Sequence, residues 1–337
     1  MIILSNCLSD KADEGCLKVA GSLIRRLRQK LPGTTVVTYG DSEGQGDLHL
    51  KVNKLMLSPR LLKLIRAKNE PLLYVPAAAR ARAMAVWVLI LSLFARKGIR
   101  MICVMQHETG WLPGLLLKLS GVHIIALSRS TAEYYEAILP GRVTYLKTGV
   151  DTTRFQPVTP EEKAALKVRF GIPADKTVVL HVGHLKQGRN VQQLLKLDDR
   201  FHGVLVCSTY AAGQQDGQLR EALKQKSNLT LLEGYIPRIE EIYQMADVYL
   251  FPVVIPHNCI DVPLSALEAA ACGIPVVTTA YGEMQELLGK DGFYEIRSFE
   301  PEELNNLLAT AYAQEKNPRQ HVLQYDWNEA VDQLCTF

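Results

Sequence analysis

Two runs decide the fold of this chain: ADVYLFPVV at residues 246–254 and IDVPLSALEAAACGIPVVTT at residues 260–279. They predict a strand ending in FPVV and then a helix that begins over residues 261–263, because Pro is favoured in the first turn of a helix. A helix start offers backbone N–H groups and a partial positive charge to a diphosphate, while the carboxylate of Glu268 can reach sugar hydroxyls. In outline, this pattern indicates a nucleotide-sugar site.

Apolar runs alternate with helical stretches along the whole chain, which predicts parallel strands with helices on both faces of a sheet. With 337 residues the chain exceeds one ordinary core, so we expect two domains, 1–150 and 151–337, with the boundary in the Thr- and Pro-containing stretch 149–160. The expected strands lie at 2–5, 35–38, 72–75, 101–105, 123–128 and 143–146, and then at 178–182, 203–207, 229–232, 248–252, 276–278 and 293–296.

The composition, 47% hydrophobic and 22% charged residues, is typical of a soluble globular enzyme. Seven scattered cysteines without a C-x-x-C pair favour a reducing compartment. The start MIILSNCLSD lacks the basic segment of a signal peptide. We therefore expect a cytoplasmic protein.

Charge is distributed unevenly along the chain. Residues 1–150 hold 21 Lys and Arg against 10 Asp and Glu, whereas the rest holds 17 against 25. The basic half suggests an anionic partner, for which a membrane surface or an anionic acceptor fits better than nucleic acid, since no basic stripe with interleaved aromatics occurs. We expect peripheral association with the inner face of the cytoplasmic membrane.

Two helical stretches are candidates for membrane contact: the amphipathic, basic stretch 18–31 and the apolar stretch 83–95. The second has 13 residues, too few for the roughly 20 that a bilayer span needs. A buried core helix and shallow interfacial docking are the two readings left open.

Several runs together resemble family 4 of the retaining glycosyltransferases. They are ADVYLFP, P-x-S-x-L-E-A-x-A-x-G-x-P-V-V, YGEMQEL, KTGVDTTRFQPV and EEKAALKVRFGIPADKTVVLHVGHL, in the family's order over residues 143–290. The resemblance implies an α/β chain with the GT-B fold, in which two Rossmann-like, doubly wound parallel-sheet domains face a cleft and the second holds the donor.

By this resemblance, Glu268 is the second Glu of the E-x7-E motif and binds the ribose hydroxyls, since a carboxylate accepts two hydrogen bonds at once. The first Glu of the motif is replaced by Ile260. The adjacent Asp261 is a candidate catalytic residue that takes over a sugar-hydroxyl contact, or it caps the helix. The start of the helix contributes three further donor-binding candidates: Val262, Leu264 and Ser265.

The run VGHLKQGRN, 182–190, stands where the family has a loop that contacts the donor diphosphate. His184 takes the place of the usual Arg, so Lys186 and Arg189 are the fixed cations, and a guanidinium can hold two phosphate oxygens. Solvated loop charges are the alternative. Gly183 is expected to allow close approach of the backbone to the ligand.

The remaining site candidates are more separated. Tyr235 and Ile236 follow a strand where the resemblance puts the base-binding edge. Glu286 matches the Glu that ends the corresponding family segment; a surface carboxylate is its alternative reading. His107, in MQHETGW, resembles the strand-end His near the transferred sugar, with a structural His equally open.

The chain has no D-x-D triplet and no His/Cys cluster at metal-ligand spacing. We expect no metal and no cofactor, so the helix start and the loop cations must stabilise the leaving diphosphate. The expected activity is metal-independent, retaining transfer of a sugar from a nucleoside-diphosphate sugar to a hydroxyl of a saccharide or glycolipid acceptor, as in bacterial surface-polysaccharide assembly. The alternatives are a sugar-nucleotide epimerase or phosphorylase, and a non-catalytic donor-binding subunit. The sequence does not specify the sugar, the base or the acceptor.

Overall fold

The computed structural model describes residues 1–9, 14–53, 58–77, 81–104, 109–207, 216–255 and 259–336. The chain forms two compact units. Unit 1 comprises Met1–Thr148, Ile260–Val262 and Trp327–Phe337. Unit 2 comprises Gly149–Cys259 and Pro263–Asp326. Neither unit is one continuous stretch, because two later segments join the first unit.

Unit 1 is built on a seven-stranded parallel sheet in the order β3-β2-β1-β4-β5-β6-β7. Its strands are β1 Ile2–Ser5, β2 Thr35–Thr38, β3 Leu48–His49, β4 Leu72–Val75, β5 Ile99–Cys103, β6 His123–Ala126 and β7 Val143–Tyr145. Between them lie α1 Gly15–Lys30, α2 Pro59–Lys68, α3 Ala81–Ser92, α4 Trp111–Ser120 and α5 Arg129–Ile138.

Unit 2 is built on a six-stranded parallel sheet in the order β10-β9-β8-β11-β12-β13. Its strands are β8 Thr177–Val182, β9 Phe201–Cys207, β10 Leu229–Glu233, β11 Val248–Phe251, β12 Val276–Thr278 and β13 Phe293–Glu295. Its helices are α6 Pro160–Arg169, α7 Gly217–Gln225, α8 Ile239–Met245, α9 Leu264–Ala271, α10 Pro301–Ala313 and α11 Arg319–Val322. The last helix of the chain, α12 Trp327–Cys335, belongs to unit 1.

These two doubly wound sheets confirm the predicted fold class. The strands are apolar along their length because helices cover a parallel sheet on both faces. In β1, for example, Ile2, Ile3 and Leu4 are wholly buried, and in β11 all four residues are. The two-residue strand β3 was not predicted.

The strand order fixes where each sheet can bind a ligand. It reverses between β1 and β4 in unit 1 and between β8 and β11 in unit 2. In doubly wound sheets the ligand binds at the carboxyl ends of the two strands that flank such a reversal. In unit 2 those ends are Val182 and Phe251, so the loops that follow them are the expected site.

The first predicted membrane-contact helix, α1, uses its side chains inside unit 1. Its apolar face is buried, and α12 packs against it. Arg28 pairs with Asp47 at 2.7 Å, and Lys30 pairs with Asp332 of α12. Asp47 and Asp332, the partners of Arg28 and Lys30, thus both belong to unit 1.

The second predicted membrane-contact helix, α3, buries Met84, Ala85, Val88 and Leu91 and packs against α4. Along this face α3 is a buried core helix, the first of the two alternatives for this stretch. No helix among the described parts of the chain is long and apolar enough to cross a bilayer.

Candidate functional site

The loop after β8 carries the predicted phosphate-binding residues. The chain turns twice within it: the Lys186 N–H donates to the His184 carbonyl, and the Arg189 N–H donates to the Lys186 carbonyl, each at 2.9 Å. Asn190 then adopts a left-handed conformation, with φ at 57°, which Asn tolerates better than most residues. The three predicted basic side chains therefore share one short, tightly turned loop at the carboxyl end of the central strand.

Gly183 begins this loop, and its missing side chain leaves room for two polar groups. A Cβ at this position would lie 2.7 Å from Nη1 of Arg189 and 3.0 Å from Nε2 of His181. The protein's own guanidinium and imidazole thus both approach the space above the Gly183 backbone. Close approach of a ligand to this glycine stays a prediction.

His181 is a site residue that the sequence reasoning missed. It is fully buried in β8, and its Nδ1 lies 2.8 Å from the Leu250 carbonyl oxygen of β11. Because a carbonyl only accepts, Nδ1 carries the proton and Nε2 is the unprotonated acceptor. Burial, followed by the positive charge of Arg189, lowers the pKa of His181 to about 4, so the ring is neutral near pH 7. The available signal was a lone polar residue inside the apolar run VVLHV.

Tyr249 connects the end of β8 to the start of α9. Its hydroxyl lies 3.3 Å from both the N and the O of Val182, and the side chain of Ser265, in the first turn of α9, interacts with it. Burial raises the pKa of Tyr249, so the hydroxyl stays protonated. The basic loop and the first turn of α9 are therefore neighbours within unit 2.

The helix α9 begins later than predicted. Its N-cap is Pro263 and its first residue is Leu264, so residues 261–263 precede it instead of forming its first turn. Val262 and Leu264 bury their side chains, and Ser265 is half-buried. The Ala266 and Leu267 N–H groups donate to the Pro263 carbonyl, at 3.0 and 3.3 Å. The N–H groups of Leu264 and Ser265 are therefore those that the start of this helix can offer to an anion.

Glu268 lies inside α9 and is 4% exposed. Its Oε2 accepts a 2.8 Å hydrogen bond from the hydroxyl of Tyr243, which is fully buried in α8. Burial and the neighbouring carboxylate raise the pKa of Tyr243, so this hydroxyl is the donor. Glu268 is therefore held in a fixed orientation by a tyrosine that sequence reasoning missed.

Asp261 is placed differently from the expectation that it caps α9. Its Oδ2 accepts hydrogen bonds from the Thr131 hydroxyl and, at 3.4 Å, from the Ser128 hydroxyl, at the start of α5 in unit 1. Its N–H donates to the Val104 carbonyl at 3.1 Å. The capping alternative is wrong, because α9 has no side-chain cap and the carboxylate is attracted to the N-terminus of α5 instead. Its contact with a sugar hydroxyl stays a prediction.

Ile260, at the place of the motif's first Glu, is buried. A Cβ on Gly15, the first residue of α1, would lie 2.8 Å from its Cδ1. This position therefore makes an apolar contact within unit 1.

The other candidates are only partly organised. Tyr235 is half exposed and follows Gly234, which has a φ of 113°; Ile236 is half-buried. Glu286 ends a half-buried 3₁₀ turn, Gly282–Glu286. His107 lies outside the described residues. In the part of the chain that the structure describes, no cluster of His, Cys, Asp and Glu could hold a metal.

In that turn, Glu283 is a carboxylate that the sequence did not single out. It is fully buried, and its Oε1 accepts a 2.6 Å hydrogen bond from the Tyr325 hydroxyl. Unit 2 thus contains a second buried tyrosine–glutamate pair, in addition to Tyr243 and Glu268.

Part of the chain is similar to a known protein family. Residues 176–314 match the family model described as "Glycosyl transferases group 1". This stretch covers β8 to α10, including the basic loop, α9 and Glu268. The similarity to that family therefore includes the candidate donor-binding residues of unit 2.

Curated relatives match parts of the chain. The D-inositol 3-phosphate glycosyltransferase of Mycobacteroides abscessus is 30% identical over 151 residues, 42% of this chain and 32% of the relative. The lipopolysaccharide core biosynthesis mannosyltransferase LpsB of Rhizobium meliloti is 28% identical over 196 residues, 54% of this chain and 52% of the relative. The matches thus span about a third to a half of these relatives.

A solved structure agrees with the fold over nearly the whole chain. HepE of Anabaena, in complex with UDP and glucose, superposes with a TM-score of 0.77 at 14% identity, covering 99% of this chain and 98% of that one. At this identity the likeness establishes the GT-B fold.

Proposed function

We propose that this chain is a retaining glycosyltransferase of family 4, which transfers a sugar from a nucleoside-diphosphate sugar to an acceptor hydroxyl. One observation carries the proposal: Tyr249 brings the basic loop after β8 next to the first turn of α9. These are the two features that hold a diphosphate, a fork of N–H donors from Arg189 and a helix N-terminus.

Glu268 supplies the third element of donor binding. In this proposal the carboxylate of Glu268, which accepts from the Tyr243 hydroxyl at Oε2, also accepts hydrogen bonds from the two ribose hydroxyls. In this proposal the base lies along Tyr235 and Ile236, where backbone groups give little preference among bases. Glu286 and His184 complete the donor-side contacts.

In the transfer step, the bond between the anomeric carbon and the phosphate oxygen breaks while a bond from that carbon to the acceptor oxygen forms on the same face. The proton of the acceptor hydroxyl passes to the departing phosphate. Arg189, Lys186 and the α9 N-terminus stabilise the negative charge that develops on the diphosphate, without a fixed metal ion. Asp261 and His107 are the proposed sugar-side residues.

The donor class is tested by binding and transfer. Thermal-shift measurements with UDP, GDP, ADP and dTDP, and with their sugars, should reveal one stabilising base, at about 2.7 kcal/mol when the ligand is at 100 times its Kd. Glu268→Ala should lose this shift. NMR of the product then reports the anomeric configuration, which we expect to be retained. Binding without transfer would favour a donor-binding subunit, and release of an isomerised sugar nucleotide would favour an epimerase.

We further propose that the acceptor is a glycolipid or lipid-linked saccharide and that the chain works at the inner face of the cytoplasmic membrane. The similarity to LpsB, a mannosyltransferase of lipopolysaccharide core biosynthesis, supports this class of acceptor. The supporting surface is on α4, which buries one face and exposes an apolar one. Its exposed residues are Trp111, 81% exposed, Leu119, 67% exposed, Leu112 and Leu115.

Cationic side chains lie on α4 and in the segments next to it. Lys118 is exposed on the helix itself, and the Arg142 guanidinium donates to its carbonyl at 3.2 Å. Arg96 and Lys97 are exposed just beyond α3, which packs against α4. An apolar face with Trp among basic residues fits the interface of an anionic bilayer.

The membrane proposal is tested with the full chain and liposomes. Co-sedimentation with phosphatidylglycerol vesicles should exceed that with phosphatidylcholine vesicles and weaken with salt. The double variant Trp111→Ser/Leu119→Ser should lose binding, while Leu323→Ser, an exposed leucine of unit 2, should not. Salt-independent binding, or binding kept by the double variant, would contradict it; a smaller oligomer for the double variant would instead indicate a second copy on this face.

A further inference from the structure

The imidazole of His181 presents an unused acceptor to the predicted phosphate-binding loop. The side chain is completely buried, and its Nε2 has no hydrogen-bond partner among the described residues. A buried acceptor without a partner is destabilising, so an arrangement that satisfies it is favoured.

The orientation of this ring is fixed by its neighbours. Nδ1 is committed to the Leu250 carbonyl. The rings of Tyr249 and Phe251 are stacked against it, with centroids at 6.3 and 6.4 Å. Nε2 therefore always faces the same point, above the backbone of Gly183.

Arg189 is the donor that faces this acceptor. A Cβ placed on Gly183 would lie 2.7 Å from Nη1 of Arg189 and 3.0 Å from Nε2 of His181, so both atoms approach the same point. A guanidinium has five N–H groups in a plane, so it can donate to an imidazole and to phosphate oxygens at the same time. Direct contact between a ligand and His181 is blocked, because the imidazole has no exposed surface.

We propose that His181 is a positioning residue for the donor diphosphate: its Nε2 accepts a hydrogen bond from Arg189 when the nucleotide binds and so aims the outer edge of the guanidinium at the phosphates. The inference rests on the proposed function. It assigns to His181 a role in recognising the diphosphate part of the donor and no role with the base or the ribose.

The test is a double-mutant cycle on nucleotide binding. Wild type, His181→Phe, Arg189→Ala and the double variant are titrated calorimetrically with the nucleoside diphosphate that stabilises wild type and with its nucleoside. His181→Phe keeps a flat ring between Tyr249 and Phe251 but removes the acceptor. We expect it to raise the Kd of the diphosphate about tenfold, to leave that of the nucleoside unchanged and to have no effect in the Arg189→Ala background.

A conservative variant separates positioning from packing. Gln at position 181 carries both a donor for the Leu250 carbonyl and an acceptor for Arg189, so His181→Gln should retain most of the affinity for the diphosphate. If His181→Phe does not fold, His181→Met supplies the apolar variant.

The possible outcomes are distinct. If no nucleoside diphosphate binds wild type, the proposed function fails together with this inference. If wild type binds the diphosphate, three results overturn the positioning role alone. His181→Phe could leave the Kd of the diphosphate unchanged, or raise the Kd of the nucleoside by the same factor. It could also raise the Kd of the diphosphate as much in the Arg189→Ala background as in wild type.

Discussion

The hydroxyl of Tyr243 in α8 donates a 2.8 Å hydrogen bond to the carboxylate of Glu268 in α9, and both side chains are buried. A carboxylate in that setting is stabilised by each donor it retains. Its orientation toward a ligand is therefore set from α8.

Tyr243→Phe should lower the free energy of unfolding by about 2 kcal/mol, because it removes a neutral donor from a buried charged acceptor. It should also weaken nucleoside binding, because Glu268 then loses its fixed orientation. Chemical denaturation and calorimetry measure the two effects.

Tyr325→Phe is the matched control for this change, since Tyr325 donates in the same way to the buried Glu283 at 2.6 Å. We expect a similar loss of stability with unchanged nucleoside affinity. Equal loss of affinity in both variants would show that Tyr243 has no specific part in the site.

Gly183→Ala should displace the Arg189 guanidinium, because the new methyl group would lie 2.7 Å from Nη1. The end of an arginine side chain can move away, whereas the buried His181 ring, with Nε2 at 3.0 Å from the new methyl group, can shift only slightly. The main loss should therefore be in diphosphate affinity, about tenfold, with a smaller loss of stability. Calorimetric titration and thermal unfolding report the two quantities. Gly217→Ala, in unit 2 with open space around the position, should change neither.

Asp247 holds two cations in unit 2 and is nearly buried. Its Oδ1 lies 2.6 Å from Nζ of Lys163 and its Oδ2 lies 2.7 Å from Nζ of Lys167, which is 9% exposed. Asp247→Asn leaves the buried Lys167 without its counter-charge, so we expect the free energy of unfolding to fall by about 3 kcal/mol.

Denaturant titration measures this loss, and the exposed pair Asp198–Arg200 provides the comparison. Asp198→Asn should change stability by less than about 1 kcal/mol, because solvent screens an exposed pair. If Asp247→Asn also lowered the free energy of unfolding by less than about 1 kcal/mol, water would have to reach Lys167.

Stability should depend on pH through His181. Burial lowers the pKa of this imidazole from 6.5 to about 4 in the native protein, so between these values the unfolded chain binds more protons. The contribution of neutral His181 to the free energy of unfolding is therefore complete above pH 6.5 and decreases as the pH falls toward 4. From pH 7 to pH 5, wild type should lose about 2 kcal/mol more than His181→Gln.

Urea titrations at the two pH values give this difference directly. Burial also lowers the pKa values of His123 and His202, but these residues are shared by both proteins and cancel in the comparison. Equal losses in wild type and variant would place the pH dependence elsewhere.

The sheets were predictable because a buried parallel strand is a short apolar run, a pattern that few other structures produce when it alternates with helical stretches. The exception, β3, is a two-residue strand with an exposed Leu48, which leaves no such run. The start of α9 was placed too early because Pro263 is its N-cap and not part of its first turn.

The site was only partly predictable. The basic loop after β8 is a local feature of the sequence, and its residues do lie together. The partners that orient the carboxylates are distant in sequence: Tyr243 is 25 residues from Glu268, and Thr131 is 130 residues from Asp261. No local pattern contains such pairs, because they depend on how helices pack.

The interleaved connectivity of the two units has a consequence for synthesis. The final strand of unit 2 ends at Glu295. In unit 1, α1 packs against α12, which begins at Trp327 and is therefore synthesised later. A ribosome adding about 5–20 residues per second therefore exposes the α1 surface for most of the translation time. We expect unit 2 to complete its sheet before unit 1 closes, so the half of the protein made first is the half finished last.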